Sequence, residues 1–251
     1  MKQELNMRAT AQLFKLDLQE MFEQWEHEKP LRVGLPHASA MLAADGDFCL
    51  RQLVLLAVEP QAASRPALQN WEYHTNAIYH NGWRLHEKYQ RLLERYGKVV
   101  YYRGDLKYPE LDLTHYDEPH HLYFSPDAVI EHCGEHMVVE IKGYKQEVFD
   151  KLDEQGAPPG AAHRQLNLYL YLLHLQHGLI LVENKNTQRC KVWCVTYDHE
   201  MVQPQLERIF HFRTALHAVR RKRELPERQC ATHQCSRAQR CPVRNACFTR
   251  T

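Results

Sequence analysis

Residues 123–143 read YFSPDAVIEHCGEHMVVEIKG, and this stretch decides the fold. Two short apolar runs, 123–130 and 137–141, flank a polar tip of His132, Cys133, Gly134 and Glu135. Apolar runs of this length around turn residues predict a β-hairpin. Asp127 lies in the first run, and Glu140 and Lys142 lie at the end of the second. Adjacent antiparallel strands can carry the two carboxylates to a shared edge. Glu140 and Lys142 are two residues apart, so they point to the same face of their strand. Two carboxylates and a lysine converging on one spot can hold a divalent metal and a polarised phosphate. Mg²⁺ takes a few carboxylate oxygens and completes its shell with waters and phosphate oxygens. The same residues also suit a half-buried hairpin with a solvated Glu–Lys pair, since exposed ion pairs are common and contribute little.

Outward from the hairpin, residues 161–177 are apolar at helical spacing and end at Gly178. Gln165 and Tyr169 stand four apart and share one face of that helix. They can reach a phosphate or a metal-bound water, or form a buried polar contact. Residues 71–96 predict a long helix with Ile78, Leu85, Tyr89 and Leu92 on one side and Gly97 closing it. It carries His86 in the string GWRLHEK, where a lone histidine also suits an ordinary surface or core position. Further upstream, residues 9–29 show one apolar helical face, ended by Pro30. Residues 35–58 predict a second helical stretch broken at Asp45-Gly46-Asp47, with Asp47 as N-cap candidate. Residues 99–106 supply a strand, and 113–121 an irregular polar connection. Residues 148–160 end in a loop rich in glycine and proline. Residues 179–182 and 191–197 pair as a hairpin, and 201–224 form the last long helix, with Pro204 in its first turn. This order predicts an α/β core with a helical front end.

With 251 residues and 44% apolar content, the chain can bury one substantial core plus a small appendage. The net charge of +1 announces no nucleic acid by itself. Residues 208–228, however, hold Arg208, Arg213, Arg220, Arg221, Lys222, Arg223 and Arg228 against only Glu224 and Glu227. That is a local positive field for phosphates, or else a solvated helix face. No apolar run approaches the ~20 residues of a membrane span, and the first 22 residues have no apolar signal core. A cytoplasmic location is expected, where eight cysteines stay reduced unless bound to metal. Neither a Ser–His–Asp arrangement nor a GxxxxGK phosphate loop is present, so ATP hydrolysis is not expected.

The succession His86, Pro126-Asp127, Glu140-Ile141-Lys142 and Gln165-x₃-Tyr169 resembles the PD-(D/E)XK nucleases. It is similar in particular to their RecB-like branch, whose GxxxH element corresponds to Gly82 through His86. The resemblance implies a restriction-endonuclease-like fold, a mixed central sheet flanked by helices, with the motif hairpin at its centre. It implies that His86, Asp127, Glu140 and the main-chain carbonyl of Ile141 ligate Mg²⁺ or Mn²⁺. Lys142 would orient the attacking water or offset transition-state charge, and Gln165 and Tyr169 would contact the DNA backbone. Many members carry a glycine three residues before the aspartate, where this chain has Phe124. A bulky ring there narrows the approach of substrate.

Cys230, Cys235, Cys241 and Cys247 crowd into QCATHQCSRAQRCPVRNACF, and Cys49 stands alone upstream. All-thiolate sites hold zinc or iron–sulfur clusters. The layout resembles the iron–sulfur nucleases of the RecB-like group, including the CRISPR-adaptation nucleases and phage homologues. That resemblance implies a [4Fe–4S] cluster held by one early cysteine and three late ones, with zinc as the alternative. Cys49, followed by Arg51, fits the early ligand, and Cys241-x₅-Cys247 fits the last pair. The usual family spacing would place a cysteine at position 238, which is Ala238 here. Cys235 lies nearer to that position and is favoured, with Cys230 as the alternate. Cys190 and Cys194 read as buried structural thiols, and Cys133 as a bystander in the hairpin turn.

Three regions are therefore expected in one compact unit: 1–70, helical and contributing one cluster cysteine; 71–225, the nuclease core; and 226–251, the cluster-binding segment. The expected function is a metal-dependent DNA exonuclease acting on single-stranded DNA or free ends, in recombination, repair, phage replication or CRISPR adaptation. Tyr101, Tyr102, Tyr123, Phe124 and Tyr144 can stack on unpaired bases or pack the sheet. A homo-oligomer, or recombination or CRISPR-adaptation proteins, would be the partners, with no membrane. Two rivals remain: a partner-dependent DNA-binding subunit with little activity alone, and a zinc-stapled structural protein.

Overall fold

The computed structural model describes residues 33–65, 73–95, 99, 114–221 and 224–250, with isolated positions 12, 13, 16, 20 and 21, and without the side chains of 73–80 and 153–155. Most of the helix expected over 9–29 and most of the strand expected over 99–106 lie outside the described residues; Val99 makes an isolated antiparallel bridge to Ile130. A small ladder, β1 (His115–Asp117) with β2 (Leu122–Phe124), occupies the stretch expected to be an irregular connection. The first hairpin run is not one strand. Pro126, which has no N–H to donate, falls between β2 and β3 (Ala128–His132).

β3 pairs antiparallel with β4 (Glu135–Tyr144) across a two-residue turn. Cys133 (φ 53°) and Gly134 (φ 81°) both take left-handed backbone there, as the tightest hairpin turns require. β4 then pairs in parallel with β5 (His177–Asn184), which pairs antiparallel with β6 (Cys190–Thr196). The mixed sheet runs in the order β3-β4-β5-β6, with β4 and β5 buried at its centre.

The parallel pair needs a crossover. It is made by α3 (Gln146–Gln155) and α4 (Gly160–Leu173), after α1 (Leu50–Val58) and α2 (Tyr73–Arg95). Residues 146–155 are thus helical, and the predicted loop shrinks to residues 156–159, opened by left-handed Gly156. α4 stops at Leu173 with His174 as a left-handed cap, because residues 177 onward are committed to β5. α5 (His199–Arg220) begins at the Asp198 cap, two residues before the expected start, which places Pro204 in the second turn. Two short helices, α6 (Ser236–Gln239) and α7 (Arg244–Thr249), end the described chain. Residues 38–42 form a 3-10 turn, and Cys49, not Asp47, is the N-cap of α1.

The two faces of the sheet are read from β4. Val138 joins Val129, Ile180 and Val182 in a core under α4 and α5. Met137, Val139 and Ile141 join Ala128, Ile130, Leu85 and Tyr89 under α2. Ile141, Ile180 and Leu166 are fully buried, each side chain contributing about 1.5–3 kcal/mol. Alternation leaves Glu140 on the α4 side, where an apolar residue would otherwise sit. The expected pair of thiols on β6 is corrected: Cys190 and Cys194 are exposed, because β6 is the edge strand.

Candidate active site

The β3–β4 register pairs Ala128 with Val139. Continued by one residue, it sets Asp127 opposite Glu140. Asp127 is held from three directions: Oδ2 accepts the Ile141 N–H at 2.7 Å, Oδ1 lies 3.0 Å from His86 Nδ1, and its carbonyl accepts from Gln90 Nε2 at 2.6 Å. His86 and Gln90 are one turn apart on α2, so a single helix face fixes both the side chain and the main chain of Asp127. Gln90 is a site residue that the motifs do not flag; its spacing from His86 is the only sequence signal for it.

Glu140 is fully buried. Lys142 Nζ forms a hydrogen-bonded ion pair with its Oε1, while Oε2 has no hydrogen-bond partner. Burial, reinforced by the Asp127 charge, pushes the Glu140 carboxyl up to about 8. Burial alone would lower Lys142, but the carboxylates of Glu140 and Asp127 outweigh it and hold its ammonium above the usual range. Gln165 Oε1 accepts from Lys142 Nζ at 3.4 Å, and Gln165 Nε2 donates to the Tyr169 hydroxyl at 3.2 Å. Tyr169 is 1% exposed, and burial with the Glu140 charge raises its hydroxyl far above the ordinary range. The six predicted side chains His86, Asp127, Glu140, Lys142, Gln165 and Tyr169 thus form one chain of contacts or electrostatic neighbours.

A buried carboxylate with one oxygen left without a partner, beside a second carboxylate, is a poor fit for an apolar core. It is a good donor set for a hard divalent cation, which needs few protein oxygens and takes the rest from water and substrate. Among the described residues no three His, Cys, Asp or Glu side chains form a group that could hold a metal ion by themselves.

Some cationic and aromatic candidates are structural. Arg208 donates to the carbonyls of Met41 and Ala43 at 2.7 and 2.6 Å, pairs with Asp45 and stacks on Phe48. It therefore clamps the 3-10 turn, whereas Lys222 and Arg223 lie outside the described residues. Phe124 is buried against Tyr169, at 5.9 Å between ring centres. Tyr123 is exposed and Tyr144 half-buried, while Tyr101 and Tyr102 lie outside the described residues.

The late cysteines form a second cluster. Cys49, Cys230, Cys241 and Cys247 line one small pocket between α1 and the last two helices. Burial pushes the thiols of Cys230 and Cys241 up to about 11. Arg51, 5% exposed, donates to the carbonyls of Pro226, Cys247 and Arg250 at 2.8, 3.1 and 2.5 Å, tying this segment to α1. Cys133 is exposed in its turn.

No protein-family model and no curated protein matches the chain. Solved structures do. An alkaline exonuclease from Laribacter hongkongensis aligns at 14% identity and a TM-score of 0.51, over 76% of this chain and 94% of that one. Its complex with dAMP aligns at 16% identity and a TM-score of 0.52, over 76% and 93%. A phage-related exonuclease from Haemophilus somnus 129PT aligns at 10% identity and a TM-score of 0.40, over 76% and 97%. The Laribacter matches, with the helix-flanked mixed sheet, show a restriction-endonuclease-like fold. No described helix is long and apolar enough to cross a membrane.

Proposed function

We propose that this chain is a Mg²⁺- or Mn²⁺-dependent deoxyribonuclease, an exonuclease on single-stranded DNA or free DNA ends, with a [4Fe–4S] cluster as a structural staple. The observation that carries the reading is Glu140: a fully buried carboxylate across the hairpin from Asp127, with Oε1 ion-paired to Lys142 and Oε2 without a partner. Its likeness in fold to an enzyme named an alkaline exonuclease supports the substrate class.

Asp127 and Glu140, with His86 and the Ile141 carbonyl, would hold the ion. The ion supplies Lewis acidity that activates water and offsets phosphate charge. His86, through its contact with Oδ1, fixes the Asp127 carboxylate, and the Ile141 N–H fixes the other oxygen. Lys142, its ammonium favoured by the Asp127 carboxylate and by Glu140 once that is ionised, places a point charge where the phosphate gains negative charge. Gln165 holds that ammonium by accepting from it and orients the Tyr169 hydroxyl by donating to it. Tyr169, protonated at any physiological pH, donates toward a phosphate oxygen. The arrangement suits hydrolysis of a phosphodiester with no covalent enzyme intermediate.

The test is degradation of linear single-stranded, linear double-stranded and covalently closed circular DNA by anaerobically purified protein, with Mg²⁺, Mn²⁺ or EDTA. Release of mononucleotides or short products from linear DNA alone, abolished by EDTA, is the expected result. Cleavage insensitive to EDTA would overturn the metal reading, and equal attack on closed circles would overturn the requirement for ends.

A further inference from the structure

Sequence spacing favours Cys235 as the fourth thiolate, but the folded chain gathers a different set. We propose that Cys49, Cys230, Cys241 and Cys247 ligate the [4Fe–4S] cluster and that Cys235 stands outside it as a helix cap; this rests on the iron–sulfur reading above. The four thiols reach one pocket from separate places: the N-cap of α1, the segment before α6, the α6–α7 connection and α7 itself. Cys235 is not part of that lining, although its thiol is hydrogen-bonded with that of Cys230; the charged neighbours of Cys241 are Cys49, Cys247 and Cys230. Cys235 is the N-cap of α6, and its Sγ accepts the Ala238 N–H at 3.4 Å, the role usually taken by a serine or aspartate oxygen.

Ala238 explains the substitution of one ligand for another. It occupies the position where the family spacing would put a cysteine, and it is 1% exposed in the wall of the same pocket. The wall there carries a methyl group and no donor. Cys230, further back in the chain, supplies the missing sulfur from the opposite end of the segment. An all-thiolate site of this kind suits zinc or an iron–sulfur cluster, and the metal content measured below separates the two. Arg228, Arg237 and Arg244 also line the pocket, matching the net negative charge that four thiolates give a cluster.

The experiment compares wild-type protein with Cys230→Ser and Cys235→Ser, all purified anaerobically. It measures iron, acid-labile sulfide and zinc per chain, visible absorption and far-ultraviolet circular dichroism. The wild type and Cys235→Ser should carry the same iron and sulfide and the same brown colour, while Cys230→Ser should lose at least nine-tenths of both. Cluster loss in Cys235→Ser, alone or together with Cys230→Ser, overturns the assignment, as does retention in Cys230→Ser. If Cys230→Ser does not fold, Cys235→Ser decides alone: wild-type iron and sulfide support the assignment, and their loss overturns it. Zinc without iron or sulfide in the wild type would instead overturn the cluster reading itself.

Discussion

Replacing Glu140 by glutamine should stabilise the metal-free protein in mild alkali while removing its activity. Burial and the Asp127 charge push this carboxyl from 4.5 to about 8. Between those values the folded chain holds a proton that the unfolded chain has released. The stabilisation linked to that proton is therefore fully present below pH 4.5 and is lost as pH rises through about 8. Above that window the fold must carry an ionised, fully buried carboxylate. The whole span corresponds to a ceiling of about 5 kcal/mol, and relaxation around a buried charge reduces it to about 2 kcal/mol. Glutamine keeps the shape without the charge, and Lys142, 28% exposed, can turn its ammonium to water. For a chain of this size, 2 kcal/mol is a rise of about 4–8 °C in Tm. The assay is thermal unfolding in EDTA at pH 4 and pH 9. The two proteins should melt together at pH 4, where Glu140 is protonated in the folded and the unfolded chain alike, the gap should open as pH rises from 4.5 to about 8, and the variant should melt higher at pH 9. Added Mn²⁺ should reverse the order, because it would bind only the folded wild type tightly. A variant that melts at or below the wild type at pH 9 in EDTA would refute the reasoning.

Lys142→Ala should lower kcat by about 10²–10³-fold with little change in DNA affinity; a kcat near the wild-type value in single-turnover cleavage removes Lys142 from the chemistry. In Gly178→Ala the new Cβ would stand 2.8 Å from Leu166 Cδ1 and 2.9 Å from the Val138 carbonyl oxygen. That overpacking should cost about 1–3 kcal/mol, and an unshifted urea midpoint would contradict the packing between β5 and α4. Arg51→Met leaves three carbonyl oxygens of the C-terminal segment without their cation. It should cost about 3 kcal/mol and hasten loss of iron on standing, both readable from melting curves and visible absorbance.

The hairpin, α2, α4, α5 and the β5–β6 pair are legible because period-2 and period-3.6 apolar patterns report directly on burial. The site is legible for the same reason. Asp127, Glu140 and Lys142 are polar residues inside apolar runs, and the strand period places two of them on one face. What escaped is set by tertiary context. The sequence 146–155 has charged residues on most of its surface and becomes α3 because a parallel β4–β5 pair needs a crossover. β6 reads like a buried strand, yet Cys190 and Cys194 are exposed because it has a neighbour on one side only. Gln90 is anonymous until α2 is laid against the Asp127 carbonyl. Arg208 reads as part of a phosphate-binding field but is consumed by the carbonyls of Met41 and Ala43. The grouping of Cys230 with Cys49 depends on how the last segment folds back over α1, which spacing does not encode.

The most direct test is single-turnover cleavage of end-labelled linear DNA in Mn²⁺, comparing the wild type with a folded Glu140→Ala variant. The wild type should degrade the strand from an end, and the variant should leave it intact while keeping the wild-type circular dichroism. Cleavage by Glu140→Ala at the wild-type rate would contradict the placement of the metal and the chemistry at the hairpin.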